Sequence, residues 1–365
     1  MTAPLDGVTI LDFSHVLAGP FATGQLRMMG ARVIRVERPD GDDFVRRHGG
    51  TDAMRASGLG ASFLSQNAGK ESVTLDLKSE EGRAAALRIA ARADVLVQNF
   101  RPGVIDRLGL GFEAVRAVNP GIVHAGLSGF GEDGPLADRP AYDHILQGVS
   151  GLMAMTGDAG SGPLRVGLPI VDYVAGQALV SAILAALLRR AKRAEAQRLH
   201  VSMLDAITGL MGAYAVNHQT TGALRGLDGN RAFSDSPWSG RFDCAEGQLV
   251  VTANTPAQVA RMQAALGTDD PAKLPAIFAT RAAADWDAIL AGADVPAGPV
   301  LTLAECLEHP QMASSSGWAD LPVPELDETV RVPTLPIRAD WTPDRLDPAP
   351  TLGRDTDRIL EEYAA

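Results

Sequence analysis

GVTILDFSHVLAGPFATGQLRMMGARVIRVE, residues 7–37, decides how the N-terminal part of this chain is read. Its opening residues, GVTILDF (7–13), are β-branched and apolar and predict a buried strand. AGPFATGQLRMMG then predicts a helix closed by Gly30, since glycine tolerates the left-handed backbone that ends helices. ARVIRVE (31–37) predicts a second strand. The alternation continues with SVTLDL (72–77) as a strand and SEEGRAAALRIAAR as a helix. Ser79 is a fitting N-cap there, with acids in the first turn. ADVLVQNF (93–100) and GIVHAGLS (121–128) read as further strands, with VIDRLGL a helical turn between them. Strands alternating with helices over roughly the first 130 residues predict an open α/β sheet of the doubly wound kind.

Beyond residue 141 the pattern turns mainly helical, to about 215. TTGALRGLDGNRAFSDSPWSG (220–240) is rich in Gly, Ser and Asp and reads as a linker. RFDCAEGQLVVTA has strand–turn–strand character with its turn at Glu246-Gly247. QVARMQAALG and AAADWDAILAGA are amphipathic helices, and 317–350 is proline-rich with short strand-like pieces. The expected organisation is a large Rossmann-like α/β domain over 1–221 and a smaller α+β domain over 222–325. A C-terminal segment, 326–365, then returns to the large domain.

Composition narrows the function classes. The 365 residues carry a net charge of −11, with 46% hydrophobic and 21% charged residues. No basic excess is available to neutralise phosphates, which argues against nucleic-acid binding. An anionic ligand needs a local cluster of Arg and Lys. Two cysteines, Cys244 and Cys306, make neither a disulfide framework nor a zinc site, and both are expected as buried thiols. No metal site is expected. MTAPLDGVTILDF lacks the basic and apolar regions of a signal peptide. The longest apolar run, around 178–188, is too short to span a bilayer and ends in RRAKR. These features predict a soluble, cytoplasmic protein.

Three places invite a chemical reading. GFGEDG (129–134) matches G-x-G-x-x-G after a strand, but Pro135 and Pro140 follow where a helix should start. Glu132 and Asp133 would also repel a pyrophosphate, so a glycine-rich turn is the better reading. Ser14-His15 are chain neighbours, which rarely form a nucleophile–base pair, and no G-x-S-x-G elbow is present. His15 can still line a pocket at the end of the first strand. Asp172, in GLPIVDYVAG (167–176), stands where a helix begins. On its own it reads first as an N-cap. The same place also suits a nucleophilic carboxylate beside a helix N-terminus.

Taken together, LDFSHVLAGPFAT, VIRVERPDGDD, NAGKESVTLDLKSEEG, VLVQNFRPGVIDRLGL, AYDHILQGVSGLM and GLPIVDYVAG resemble the family III CoA-transferases of the CaiB/BaiF type. QRLHVSMLDA, FDCAEGQLVV, VPAGPVLTLAECLEHPQM and PTLGRDTDRILEE continue the resemblance to the C-terminus. The resemblance implies a large Rossmann-like domain, a small domain and an interlocked homodimer. It implies transfer of CoA from an acyl-CoA to a carboxylic acid, with Asp172 as nucleophile and no resident cofactor. It places Val16, Arg38, Leu75, Lys78, Asn99, Phe100 and Arg107 against CoA, and His15, Leu17 and Tyr142 by the acyl site. Leu17 stands where the formyl-CoA:oxalate branch carries Gln, and the small domain lacks that branch's glycine run, so oxalate specificity is not expected. Two alternatives go with the resemblance. One is an α-methylacyl-CoA racemase, whose His falls at Tyr142 and whose Glu falls near Thr255; His144 lies two residues from the former. The other is a non-catalytic CoA-binding paralogue. His15, Arg46, Arg47 and Arg139 are the candidates to meet a second carboxylate on a dicarboxylic acid.

Overall fold

The computed structural model describes residues 2–315, 317–343 and 345–364. Its centre is a sheet of six parallel strands: β1 (Thr9–Asp12), β2 (Arg32–Glu37), β3 (Glu71–Thr74), β4 (Val95–Gln98), β5 (Val123–Ser128) and β6 (Gln197–Ser202). Their order is β3-β2-β1-β4-β5-β6. The order reverses between β1 and β4, so a crevice opens there at the carboxyl ends of the strands. The fold is the α/β class that the alternation predicts.

Helices cover both faces. On one side lie α1 (Ala18–Met28), α3 (Asp143–Val149), α4 (Ile170–Arg190) and α5 (Met203–Leu210), packed on Ile10, Val33, Val97 and Ala125. On the other lies α2 (Glu80–Ala90), where Ala86 and Ile89 meet Leu11, Ile34 and Leu96. The strands are buried on both faces and therefore read as continuous apolar runs. At 21 residues, α4 is long and apolar enough by composition to cross a bilayer. Its Val171, Ala175, Leu179, Val180 and Ile183 are buried in this core instead.

The chain forms two compact units. The first comprises 1–152, 165–223 and 316–365; the second comprises 153–164 and 224–315. The second unit has a three-stranded antiparallel sheet of β7 (Gly240–Asp243), β8 (Gln248–Val251) and β9 (Ala297–Pro299). Helices α6 (Pro256–Leu266) and α7 (Ala283–Gly292) pack on it around Trp286 and Phe278. In the first unit, β10 (Trp318–Val323) and β11 (Glu328–Pro333) form a hairpin. The tail then passes along β3: Asp355 accepts from the Ser72 N–H at 2.9 Å and Thr356 Oγ1 from the Thr74 N–H at 3.0 Å. An otherwise open sheet edge is satisfied that way.

Several local expectations need correction. QRLHVS was read within a mainly helical stretch and is the sixth strand, an edge strand with exposed Arg198. The third strand is Glu71–Thr74 and ends before Leu75. The stretch read as a linker ends in buried Trp238, which belongs to the core of the second unit. The two cysteines are half-buried, not buried. Cys306 sits in a short helix, Leu303–Glu308, that has no buried residue.

Candidate active site

Helices α1 and α4 cross at Gly176. A Cβ there would stand 2.7 Å from the Ala18 carbonyl oxygen and from Phe21 Cδ1, so only glycine permits this approach. Leu17 and Ala18, at the start of α1, and Asp172, at the start of α4, line one cavity of about 480 Å³. His15, Val16, Asn99, Phe100, Ser128, Arg139 and Tyr142 complete its wall. These residues follow β1, β4 and β5, at the crevice that the strand order creates.

Asp172 is the third residue of α4, in its first turn. The first N–H groups of a helix have no partner within it. Here they are met by Asp143 of α3, whose Oδ2 accepts from Val171 N at 2.7 Å and from Asp172 N at 3.3 Å. Gln147 Nε2 donates to Asp143 Oδ1 at 2.6 Å, while its Oε1 accepts from Val166 N at 2.8 Å. Both side chains are buried. The capping first read at Asp172 is therefore done by Asp143. Among the described residues, the Asp172 carboxylate accepts no hydrogen bond. Burial, and then the negative charge of Asp143, push its carboxyl up to about 7.

The floor under residues 14–17 is built differently. Buried Asp12 accepts from Ser14 N at 2.9 Å, Ser14 Oγ at 2.5 Å and Thr23 Oγ1 at 2.6 Å, with Lys70 Nζ 3.3 Å away. Ser14 is thus bonded to Asp12, which leaves no Ser14–His15 pair. Arg35 bonds Asp43 at 2.5 Å, and Asp43 accepts from Val16 N at 3.2 Å. Val16 adopts φ +67°, a costly conformation for a β-branched residue. Asn99 fixes its neighbour, accepting from His15 N at 3.0 Å and donating to His15 O at 2.8 Å.

The residues assigned to CoA fall into groups. Val16, Asn99 and Phe100 line the Asp172 cavity. Arg38 and Leu75 line an adjoining cavity of about 270 Å³ shared with His15 and Phe100. Lys78 and Arg107 are exposed and line neither, although Arg107 lies over Gly103 in the turn after β4.

The candidates for a second carboxylate separate clearly. Arg46 is buried, clamped on Glu37 at 2.8 and 2.5 Å, and is unavailable. Arg47 is exposed and off the cavity. Burial keeps His15 below the ordinary histidine range, hence neutral. Arg139 lines the cavity and has no ion pair among the described residues. Arg101, which sequence reasoning missed, does the same. Of the residues behind the racemase alternative, His144 is exposed and off the cavity. Thr255 closes a capping box with Gln258 at the start of α6.

The profile of CoA-transferase family III matches residues 5–356. The chain belongs to that family. As a family III CoA-transferase it is 32% identical to succinate–glutarate CoA-transferase of Agrobacterium fabrum, over 98% of this chain and 95% of the relative. It is 34% identical to acetyl-CoA:oxalate CoA-transferase of Acetobacter aceti, over 85% and 84%. A CAIB/BAIF family protein from Brucella suis superposes with a TM-score of 0.86 at 28% identity, covering all of both chains. This CoA-transferase is an enzyme, and CoA thioesters are its substrates.

Proposed function

We propose that Asp172 is the nucleophile of this CoA-transferase. The carboxylate attacks the donor thioester carbonyl, forming a mixed anhydride and releasing CoA thiolate. The thiolate attacks the Asp172 carbonyl, freeing the donor acid and leaving an aspartyl-CoA thioester. The acceptor carboxylate attacks that thioester, and the thiolate then takes the new acyl group from the second anhydride. Every step exchanges an oxygen or sulfur nucleophile at an activated carbonyl, so the residues need no redox partner. Asp172 is regenerated at the end.

One observation carries this reading. The Asp172 carboxylate lies at the cavity and accepts no hydrogen bond among the described residues, while a different carboxylate, Asp143, caps its helix. A carboxylate kept poorly solvated is more basic and a better nucleophile once ionised. Intact-protein mass spectrometry after mixing with succinyl-CoA or acetyl-CoA tests it. A CoA-sized adduct should form on the native protein, be removed by hydroxylamine, and be missing from Asp172→Ala. An equal adduct on the alanine variant rules the assignment out.

The acids themselves are read as small dicarboxylic acids. The relatives above are named for succinate, glutarate and oxalate, and Arg139, on the cavity wall, has no ion pair among the described residues. Leu17 makes the facing wall apolar, and oxalate is not favoured. Val16, Arg38, Leu75, Lys78, Asn99, Phe100 and Arg107 are assigned to CoA, and Tyr142 to the acyl group. An interlocked homodimer, cytoplasmic residence and a lack of nucleic-acid or membrane partners complete the reading. Sedimentation velocity tests the dimer.

A further inference from the structure

One cluster beside the Asp172 cavity brings together a hydroxyl, an imidazole and a carboxylate, and the transfer chemistry uses none of them; Ser128 is in the cavity wall, while His200 and Glu132 line a small hollow next to it. Ser128 is the last residue of β5 and is one of the residues lining the Asp172 cavity. Its Oγ lies 2.9 Å from Nε2 of His200, on the neighbouring strand β6. Gly126 lies opposite His200 in the ladder, and a Cβ there would fall 2.9 Å from His200 Nδ1. The missing side chain makes room for the imidazole. On the far side of the ring, Glu132 Oε1 stands 3.4 Å from Nδ1 and is itself held by Arg198 at 2.6 Å.

This order of groups favours one histidine tautomer by charge alone, since Nδ1 makes no hydrogen bond among the described residues. A proton on Nδ1 faces the Glu132 carboxylate favourably, whereas a lone pair there faces it unfavourably. Nε2 is then left as an acceptor 2.9 Å from Ser128 Oγ, whose one proton is donated to the Gly131 carbonyl at 3.0 Å. Rotation of the Ser128 hydroxyl from the Gly131 carbonyl to Nε2 is what hands its proton to His200. Burial holds His200 below the ordinary range, with Glu132 and Asp133 pulling it up and Arg198 pushing it down. The ring is therefore the neutral base that proton abstraction requires. Glu132 belongs to the glycine-rich turn GFGEDG, whose match to a dinucleotide fingerprint has no phosphate role here.

We propose that Ser128, His200 and Glu132 form a second acyl-transfer centre in this cavity, which hydrolyses acyl-CoA thioesters with Ser128 as nucleophile. Ser128 Oγ bonds to the thioester carbonyl carbon as its proton passes to His200 Nε2. The carbon–sulfur bond breaks, and the proton leaves on sulfur as CoA thiol. Water then attacks the acyl–Ser128 ester and gives a proton to His200. That proton returns to Oγ as the free acid departs. The balance is one acyl-CoA and one water to one acid and one CoA, with no change of oxidation state.

The test uses Asp172→Ala as background, so it is independent of the transferase assignment. CoA release from acetyl-CoA and succinyl-CoA is followed without an acceptor. Slow hydrolysis persists in Asp172→Ala, and adding Ser128→Ala or His200→Gln lowers it about a hundred-fold. An acyl-sized adduct, without CoA, appears on the Ser128 peptide after acid quenching. Glu132→Gln removes the orienting charge from the surface turn; it lowers the rate about ten-fold with unchanged thermal unfolding. Two results overturn the proposal. One is no CoA release from Asp172→Ala above the uncatalysed rate. The other is an unchanged rate in the Ser128 or His200 variant; if both misfold, an unchanged rate in Glu132→Gln overturns it alone.

Discussion

Two polar regions lie within one crevice and are built on opposite terms. Beneath residues 14–17, Asp12, Lys70, Arg35, Asp43, Glu37 and Arg46 are all held by charged or hydroxyl partners. At the start of α4, Asp172 is half-buried and accepts no hydrogen bond among the described residues. The floor's pairing keeps a strained backbone at Val16 in place. The lone carboxylate at the helix start is the one proposed to react. Satisfied charge fixes geometry here, and unsatisfied charge is left where the proposed chemistry would occur.

The sharpest way to break this comparison is to remove the lone carboxylate. Asp172→Asn is expected to lower kcat/KM for transfer by more than about 10⁴-fold, read by steady-state kinetics. It should also stabilise the fold. The folded state raises the Asp172 pKa from 3.8 to about 7 and so binds its proton more tightly than the unfolded chain does. The stability tied to that proton is present below about pH 4 and is lost as pH rises to about 7. Urea unfolding at pH 8 should therefore find the Asn variant more stable, by a few kcal/mol at most, and the two proteins alike at pH 4.

Breaking the floor should have the reverse signature. Lys70→Met leaves Asp12 buried without its counter-ion and is expected to cost about 3–5 kcal/mol in denaturant unfolding. Activity should fall with the fraction folded. A smaller effect separates the two acids of α3 and α4. If Asp172 is the nucleophile it must be ionised, and transfer should then rise as pH passes through about 7. Asp143→Asn keeps an acceptor for the helix N–H groups but removes the charge. The acid limb of the pH–rate profile should move to lower pH, though not to the ordinary carboxylate value, because burial is the larger cause. The mildest effect is expected at the rim. Arg139→Ala should raise KM for a dicarboxylic acceptor about ten-fold and leave that for the acyl-CoA donor unchanged.

Much of this was legible in the sequence, for identifiable reasons. β1, β2, β4 and β5 are buried on both faces, so their apolar runs are unambiguous. β6 is an edge strand whose polar residues disguise its period. Asp172 stood out as an acid at a helix start, but spacing alone could not show which acid caps that helix. Asp143 lies 29 residues away, and only the fold brings it there. The Asp143–Gln147 pair, four residues apart on one helix, was the available signal. Lys70 and Arg46 look like surface cations in a sequence and are among the most buried charges in the protein. Ser128 and His200 lie 72 residues apart on adjacent strands and leave no local motif, unlike the adjacent Ser14-His15.

The most direct test of the central claim follows oxygen through a single turnover. The enzyme, in excess over its acyl-CoA donor, is given an acceptor acid labelled with oxygen-18 in its carboxylate. If Asp172 mediates transfer, the released donor acid is unlabelled and the peptide carrying Asp172 gains one heavy oxygen. If the acids exchange CoA directly, the heavy oxygen appears in the donor acid and Asp172 stays unlabelled, which contradicts the account.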